Sequence, residues 1–110
     1  MDTNHAVSAF AALAQPTRLE VLRLLVRAGA PGMAAGDIAA RLDVRQNTLS
    51  ANLAVLVGAG LLRRTREGRS IRYFADMEGL RDMLAFLLED CCGGNPALCA
   101  PVLDDLTCAC

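Results

Sequence analysis

The segment from Leu61 to Phe74 restricts the possible folds most, because its side chains alternate with a period of two. Successive side chains of a strand point to opposite faces. One face would carry Ile71 and Tyr73, and the other Ser70, Arg72 and Phe74. Glu67-Gly68 lies at the centre of the segment and predicts the turn of a β-hairpin.

Four helices are predicted before this hairpin, because apolar residues recur there every three or four positions. The second helix begins near Pro16, which suits a first helical turn, and ends at Gly29. The third runs from about Ala34 to Leu42, with Asp37 in its first turn. The first helix has an apolar stripe of Val7, Phe10, Leu13 and Ala14, and the inward residues are Leu19, Leu22, Leu25 and Val26 in the second and Ile38, Ala39 and Leu42 in the third.

The fourth helix, from about Gln46 to Ala59 with Gly60 as its stop, has two faces of different character. The apolar face carries Leu49, Asn52, Leu53 and Leu56, and the other carries Asn47, Ser50, Ala51 and Ala54, with Gln46 at its N-terminal edge. A helix facing only solvent usually has charged side chains outward. Small and amide side chains instead allow another molecule to approach closely.

A fifth helix follows the hairpin, capped by Asp76 and ended by Gly93-Gly94-Asn95-Pro96. Its apolar stripe is formed by Leu80, Met83, Leu84, Leu87 and Leu88. With 54% hydrophobic residues, a chain of 110 residues can form one core but leaves apolar surface exposed. We therefore expect a single domain over residues 1–110, with a cysteine-rich tail at 91–110, and a homodimer through the first and last helices.

The charges are unevenly distributed, although the net charge is only −1. Residues 41–72 carry seven arginines against two acidic residues, a net charge of +5. Residues 76–110 carry one arginine against seven acidic residues, a net charge of −6. Such a basic segment beside a small, polar helix face is typical of nucleic-acid binding.

Four motifs together resemble the ArsR/SmtB family of metal-responsive repressors over about residues 6–90. They are Ala14-Gln15-Pro16-Thr17-Arg18-Leu19, Gln46-Asn47-Thr48-Leu49-Ser50-Ala51-Asn52-Leu53, Ala59-Gly60-Leu61-Leu62, and Glu67-Gly68-Arg69 with Tyr73. The resemblance implies a mostly α winged helix-turn-helix of order α-α-α-α-β-β-α that binds operator DNA. Two positions depart from the family pattern: Arg45 replaces a frequent capping Ser and Asn52 a frequent His, which affects operator preference.

The resemblance and the helix faces assign the same residues to DNA. Gln46, Asn47 and Ser50 are expected to hydrogen-bond base edges or phosphates in the major groove. The hairpin would act as a wing that contacts phosphates or the minor groove through Arg63, Arg64, Arg66 and Arg69. The alternative is a solvated basic face on a winged-helix module that binds proteins.

All five cysteines lie between positions 91 and 110. No stretch of about 18 apolar residues occurs, and Met1-Asp2-Thr3-Asn4 lacks the start of a secretion signal, so we expect a cytoplasmic protein without membrane contact. Disulfides are disfavoured in that compartment, and metal, metalloid or redox chemistry is favoured.

Two metal sites that the resemblance suggests lack their ligands here. The segment Met33–Asp37 contains no thiol for a site in the third helix, and the only histidine is His5. Asp82, Glu89 and Asp90 offer only hard oxygen ligands, which suit zinc poorly.

Cys91, Cys92 and Cys99 place three soft thiolates within nine residues. Trivalent arsenic or antimony makes three bonds to sulfur, so As(III) or Sb(III) is the expected inducer, with no permanently bound cofactor. The alternatives are a redox or persulfide sensor, a cadmium or lead sensor, and a metalloid chaperone. No catalytic constellation is present, so no enzyme is expected. Cys108 and Cys110 are expected to bind nothing; the alternatives are that they form a second, weaker site or replace one of the three ligands.

Overall fold

Five helices and three short strands follow one another in the computed structural model, which describes residues 1–89, 97 and 100–102. The elements are α1 (Thr3–Leu13), α2 (Pro16–Ala28), β1 (Met33–Ala34), α3 (Ala35–Leu42), α4 (Gln46–Gly58), β2 (Leu62–Glu67), β3 (Ser70–Ala75) and α5 (Met77–Leu87). The predicted winged helix-turn-helix is confirmed: α3 and α4 form the helix-turn-helix, and the hairpin β2–β3 is the wing.

Side-chain caps and left-handed residues set the ends of the helices. Asp2 Oδ1 accepts the backbone N–H of His5 at the start of α1, at 2.7 Å. Asp76 Oδ1 accepts the N–H of Gly79 at 3.0 Å, which confirms the predicted cap of α5. Gly29, with φ of 71°, ends α2 as predicted. Asp43, with φ of 53°, ends α3.

The sheet has the antiparallel order β1-β3-β2. In the wing, residues pair from Leu62 with Ala75 to Glu67 with Ser70, so the turn is Gly68-Arg69. The predicted centre at Glu67-Gly68 is therefore wrong by one residue. Gly68 has φ of 62°, a left-handed conformation that glycine adopts without steric cost. The strand β1 was not predicted, because two residues are too few to show an alternation.

The core lies where α2, α3 and α4 meet the sheet. Its largest fully buried side chains are Val21, Leu25, Ile38, Leu49, Leu53, Leu56 and Leu61. Ile38 and Ala39 are buried as predicted, but Leu19 and Val26 are 42% and 39% exposed, so their predicted inward positions are wrong. The buried face of α2 is centred on Val21 and Leu25, and Leu19 and Val26 project together from another side of the helix.

Both α1 and α5 leave large apolar side chains exposed. The core side of α1 is formed by Ala6, Ala9 and Ala12, while Val7 is 60% exposed. In α5, Met83 is buried and Leu87 is 59% exposed. These apolar faces belong to the two helices predicted to form a dimer interface.

The helix α5 ends earlier than predicted. It runs only to Leu87, with Leu88 as its C-cap and a turn at residues 88–89, so the prediction that it continues to Gly93 is wrong. None of the described helices is long and apolar enough to cross a membrane.

Candidate nucleic-acid interface

The first two turns of α4 present the predicted base-reading side chains outward. Gln46, Asn47 and Ser50 are all exposed, while Leu49 and Leu53 on the other side are buried. The Oδ1 atom of Asn47 accepts the backbone N–H of Thr48 at 2.8 Å, which leaves the amide N–H groups of Asn47 to donate. Arg45 precedes the helix in an extended conformation and provides no side-chain cap.

The pairing of the strands divides the wing arginines between two faces. Arg64 pairs with Tyr73 and Arg66 with Ile71, and directly paired residues share a face. Tyr73 and Ile71 also line a groove with Gln46 and other residues of α4. Arg64 and Arg66 therefore lie on the face of the wing that is turned toward the recognition helix.

The groove between α4 and the wing has a volume of about 280 Å³. Gln46 and Ser50 line one side of it, and Arg69 of the wing turn lines the other. Amide, hydroxyl and guanidinium groups thus converge on one concave surface. These are the groups that proteins use to contact base edges and phosphates.

Two wing arginines contact other residues of the protein itself, in the wing and in the loop before β1. The guanidinium of Arg63 lies 5.1 Å from the centroid of the Phe74 ring, on the face of the wing opposite to Arg64. Arg72 pairs with Glu67 at 3.3 Å and donates to the backbone oxygen of Pro31 at 3.0 Å. Arg72 therefore fixes the wing to the loop before β1. In the part of the chain that the structure describes, Arg64, Arg66 and Arg69 have no carboxylate within ion-pair distance.

A hydrogen-bond network joins α1, α2 and the recognition helix. Arg18 donates from Nε to the backbone oxygen of Ala12 and from Nη1 to Oδ1 of Asn52, at 3.2 Å. Gln15 caps α2 by accepting the N–H of Arg18 at 2.8 Å. This network was not predicted from the sequence. The position of Asn52 on the apolar face of the fourth helix could have indicated it, because a buried amide needs a hydrogen-bond partner.

The predicted metalloid ligands Cys91, Cys92 and Cys99 lie outside the described residues, as do Cys108 and Cys110. Among the described residues, no group of three or more His, Cys, Asp or Glu side chains could hold a metal ion.

A model for a helix-turn-helix domain matches residues 13–65. Among solved structures, an ArsR-like transcriptional regulator from Rhodococcus sp. RHA1 is 30% identical, with a TM-score of 0.69 over 94% of this chain and 93% of that chain. HlyU from Vibrio cholerae is 28% identical, with a TM-score of 0.65 over 80% and 95% of the two chains. A homodimeric winged helix-turn-helix domain from Mycobacterium bovis is 29% identical, with a TM-score of 0.65 over 77% of each chain. No curated protein matches the sequence.

The helix-turn-helix, the arginine-bearing wing and the groove between them define a DNA-binding protein of the winged-helix class. The chain belongs to the ArsR family of transcriptional regulators, which are not enzymes.

Proposed function

We propose that this regulator is a repressor that binds a two-fold operator as a homodimer and releases it when As(III) or Sb(III) binds its C-terminal cysteines. The observation that supports operator binding best is the convergence of Gln46, Ser50 and Arg69 on one groove. In a dimer, two such grooves would meet half-sites about one DNA turn apart.

The exposed apolar faces of α1 and α5 support the dimer. Val7 and Leu87 are more than half exposed. Burying large apolar side chains such as these in an interface would stabilise the dimer. The related domain from Mycobacterium bovis, described as homodimeric, makes the same arrangement reasonable for this chain. The interface would join two copies of the same surface around a two-fold axis.

The proposed inducer site follows from the chemistry of Cys91, Cys92 and Cys99. Three thiolates satisfy a trivalent metalloid without a fourth ligand. Cys91 follows the end of α5 by four positions in the sequence, so a metalloid bound there would restrain the chain next to an interface helix. If that restrained state fits DNA less well, inducer and operator oppose each other by a coupling free energy of about 1–3 kcal/mol.

A thiol redox sensor is the second candidate. One of the similar proteins, HlyU from Vibrio cholerae, is described in a reduced form. The neighbouring thiols Cys91 and Cys92 would then be oxidised to release DNA, without any metalloid.

Fluorescence anisotropy with labelled DNA from the promoter of the protein's own gene distinguishes these candidates. Under reducing conditions, the reduced protein should bind the promoter more tightly than a random duplex, and micromolar arsenite or antimonite should release it. Hydrogen peroxide or polysulfide at the same concentration should have little effect. Equal release by the oxidant, reversed by a reductant, would contradict the metalloid proposal and support redox sensing. Failure to prefer the promoter would contradict operator binding itself.

A further inference from the structure

A cavity of about 360 Å³ lies between the end of α2, the base of the wing and the start of α5. Its walls include Val26 from the end of α2 and Ala30 from the turn after it. Phe74 and Arg63 of the wing and Met77 of α5 form the other walls. Phe74 and Arg63 are paired on the face of the wing opposite to the groove that faces α4. The volume falls within the range of about 300–1,000 Å³ that is common for small-molecule sites.

The lining of this cavity is largely apolar and accessible. Val26 is 39% exposed and Met77 is 57% exposed, although both are large hydrophobic side chains. Phe74 adds apolar surface to the walls, and the fully buried Leu25 lies behind them. Exposed apolar side chains around a concave surface are a common property of sites that bury an apolar ligand.

One positive charge stands in the wall of the cavity. The Arg63 guanidinium lies 5.1 Å from the centre of the Phe74 ring, a cation–π contact that favours this position of the cation. In the described part of the chain, no carboxylate lies within ion-pair distance of Arg63. The N–H groups of a guanidinium can donate two parallel hydrogen bonds to a carboxylate, so Arg63 is suited to pair with the acid group of a ligand.

We propose that this cavity is an effector site for a small amphipathic carboxylate. The apolar body of the ligand would pack against Val26, Phe74 and Met77, and its carboxylate would pair with Arg63. Both parts of the ligand add to its affinity, because the apolar body buries the exposed walls and the carboxylate pairs with the guanidinium of Arg63.

Occupancy of this site should weaken DNA binding. This second step rests on the proposed function, because it requires that the wing contributes positive charge to the DNA interface. The bound carboxylate neutralises Arg63, which removes about one unit of positive charge from the wing and weakens its attraction to the phosphate backbone. The ligand would also contact α2, the wing and α5 at the same time. Its affinity would therefore change with the relative positions of these elements, and DNA that shifts the wing would be coupled to the ligand.

The test uses the full, reduced chain, with 2-naphthoate as the probe and 2-naphthylmethanol as its uncharged analogue. Titration followed by amide NMR should give saturable shifts at Val26, Ala30, Phe74 and Met77. Arg63→Gln should bind 2-naphthoate roughly tenfold more weakly, because a charge-assisted pair is lost. The same variant should bind the uncharged analogue as wild type does.

Arg64→Gln is the matched control, because it removes the same charge from the opposite face of the wing. Its affinity for 2-naphthoate should equal that of wild type. Ala30→Leu changes an exposed residue of the cavity wall and should abolish binding of both probes, with folding checked by circular dichroism. Absence of saturable shifts in wild type, equal weakening by Arg63→Gln and Arg64→Gln, or full binding by Ala30→Leu would each overturn the proposal.

These measurements involve no DNA, so they are independent of the proposed operator binding. A second titration adds 2-naphthoate to the complex of the protein with labelled promoter. Release is expected from wild type and not from Ala30→Leu. Saturable binding of 2-naphthoate without any change in DNA affinity would overturn the effector role.

Discussion

Asn52 is a buried polar side chain of the recognition helix, only 8% exposed. Its Oδ1 atom accepts a hydrogen bond from Arg18, which also contacts the end of α1 through the oxygen of Ala12. One guanidinium therefore holds three helices at a fixed spacing. A polar residue is tolerated at this core position because its amide has a charged partner.

We predict that Asn52→Ala lowers the free energy of unfolding by about 1–3 kcal/mol, because the guanidinium of Arg18 loses its acceptor in a partly buried place. Urea denaturation measures this change. Ser50→Ala is the control, because Ser50 lies on the exposed face of the same helix, and its effect should stay within about 0.5 kcal/mol. Equal stabilities of the two variants would show that the Arg18–Asn52 contact does not stabilise the fold.

At Gly79, α5 closely approaches the turn after α4. A Cβ atom added at this position would overlap the backbone oxygen of Gly60, which belongs to the turn after α4. Backbone cannot yield in the way that the end of a flexible side chain can. The absence of a side chain at position 79 therefore sets the distance between α5 and the DNA-binding part.

Gly79→Ala should therefore destabilise the protein by about 1–3 kcal/mol or more, through overpacking against backbone. Gly58→Ala provides a matched control within α4, because nothing lies within 4 Å of a Cβ atom added there. That change should be neutral or stabilise the helix by up to about 1 kcal/mol. Thermal unfolding of both variants tests the pair, and a Gly79→Ala variant as stable as wild type would show that the two segments can separate freely.

At the scale of elements, the long periodic segments could be predicted from the sequence and the short or three-dimensional features could not. The two faces of α4 follow from its repeat, so Leu49 and Leu53 are buried and Ser50 is exposed as predicted. The inward face of α2 was misjudged at Leu19, because its apolar residues cover more than one face and only packing selects between them.

The candidate interface was predictable in its residues and not in its geometry. The sequence alone does not show which wing arginines face the recognition helix and which contact other residues. The strand register separates Arg64 and Arg66 from Arg63, and a distant loop accepts hydrogen bonds from Arg72. These distinctions depend on which strand residues pair and on contacts across 41 positions, which local patterns do not contain.

Substitutions in the wing and in the recognition helix should affect DNA binding in different ways. Arg66→Ala or Arg69→Ala should weaken binding to promoter and random DNA alike and reduce the slope of log affinity against log salt by about one, because each removes a phosphate contact. Arg23→Ala, an exposed change on α2 outside the groove, should leave the slope unchanged. An unchanged slope in both wing variants would show that the hairpin does not contact DNA.

Gln46→Ala or Ser50→Ala should instead reduce the preference for the promoter, by roughly tenfold for each base contact of about 1–3 kcal/mol. Affinity for random DNA should remain close to that of wild type. Competition anisotropy with both duplexes measures the ratio. Parallel loss on the two duplexes would contradict a base-reading role for this end of α4.

For the whole molecule, the proposed dimer would place two recognition helices on one DNA. Val7→Glu puts a charge on the exposed apolar face of α1 and should shift the protein to a monomer, as measured by sedimentation velocity. Leu19→Glu places the same charge on α2, at an apolar residue that is 42% exposed, and should leave the dimer intact. The reverse result would place the interface on α2 instead of α1.

The choice of sulfur ligands is the sharpest prediction for the whole molecule, because a centre with three bonds needs three thiolates at once. Replacing Cys91, Cys92 or Cys99 singly by Ser exchanges a soft ligand for a poor, hard one, so each variant should repress but no longer respond to arsenite. Replacing Cys108 and Cys110 together should leave repression and release nearly intact, since ordering further residues at a satisfied site costs conformational entropy. Anisotropy of the labelled promoter under reducing conditions measures both properties. Retained release in Cys99→Ser, together with its loss in the double variant, would assign the third sulfur to Cys108 or Cys110.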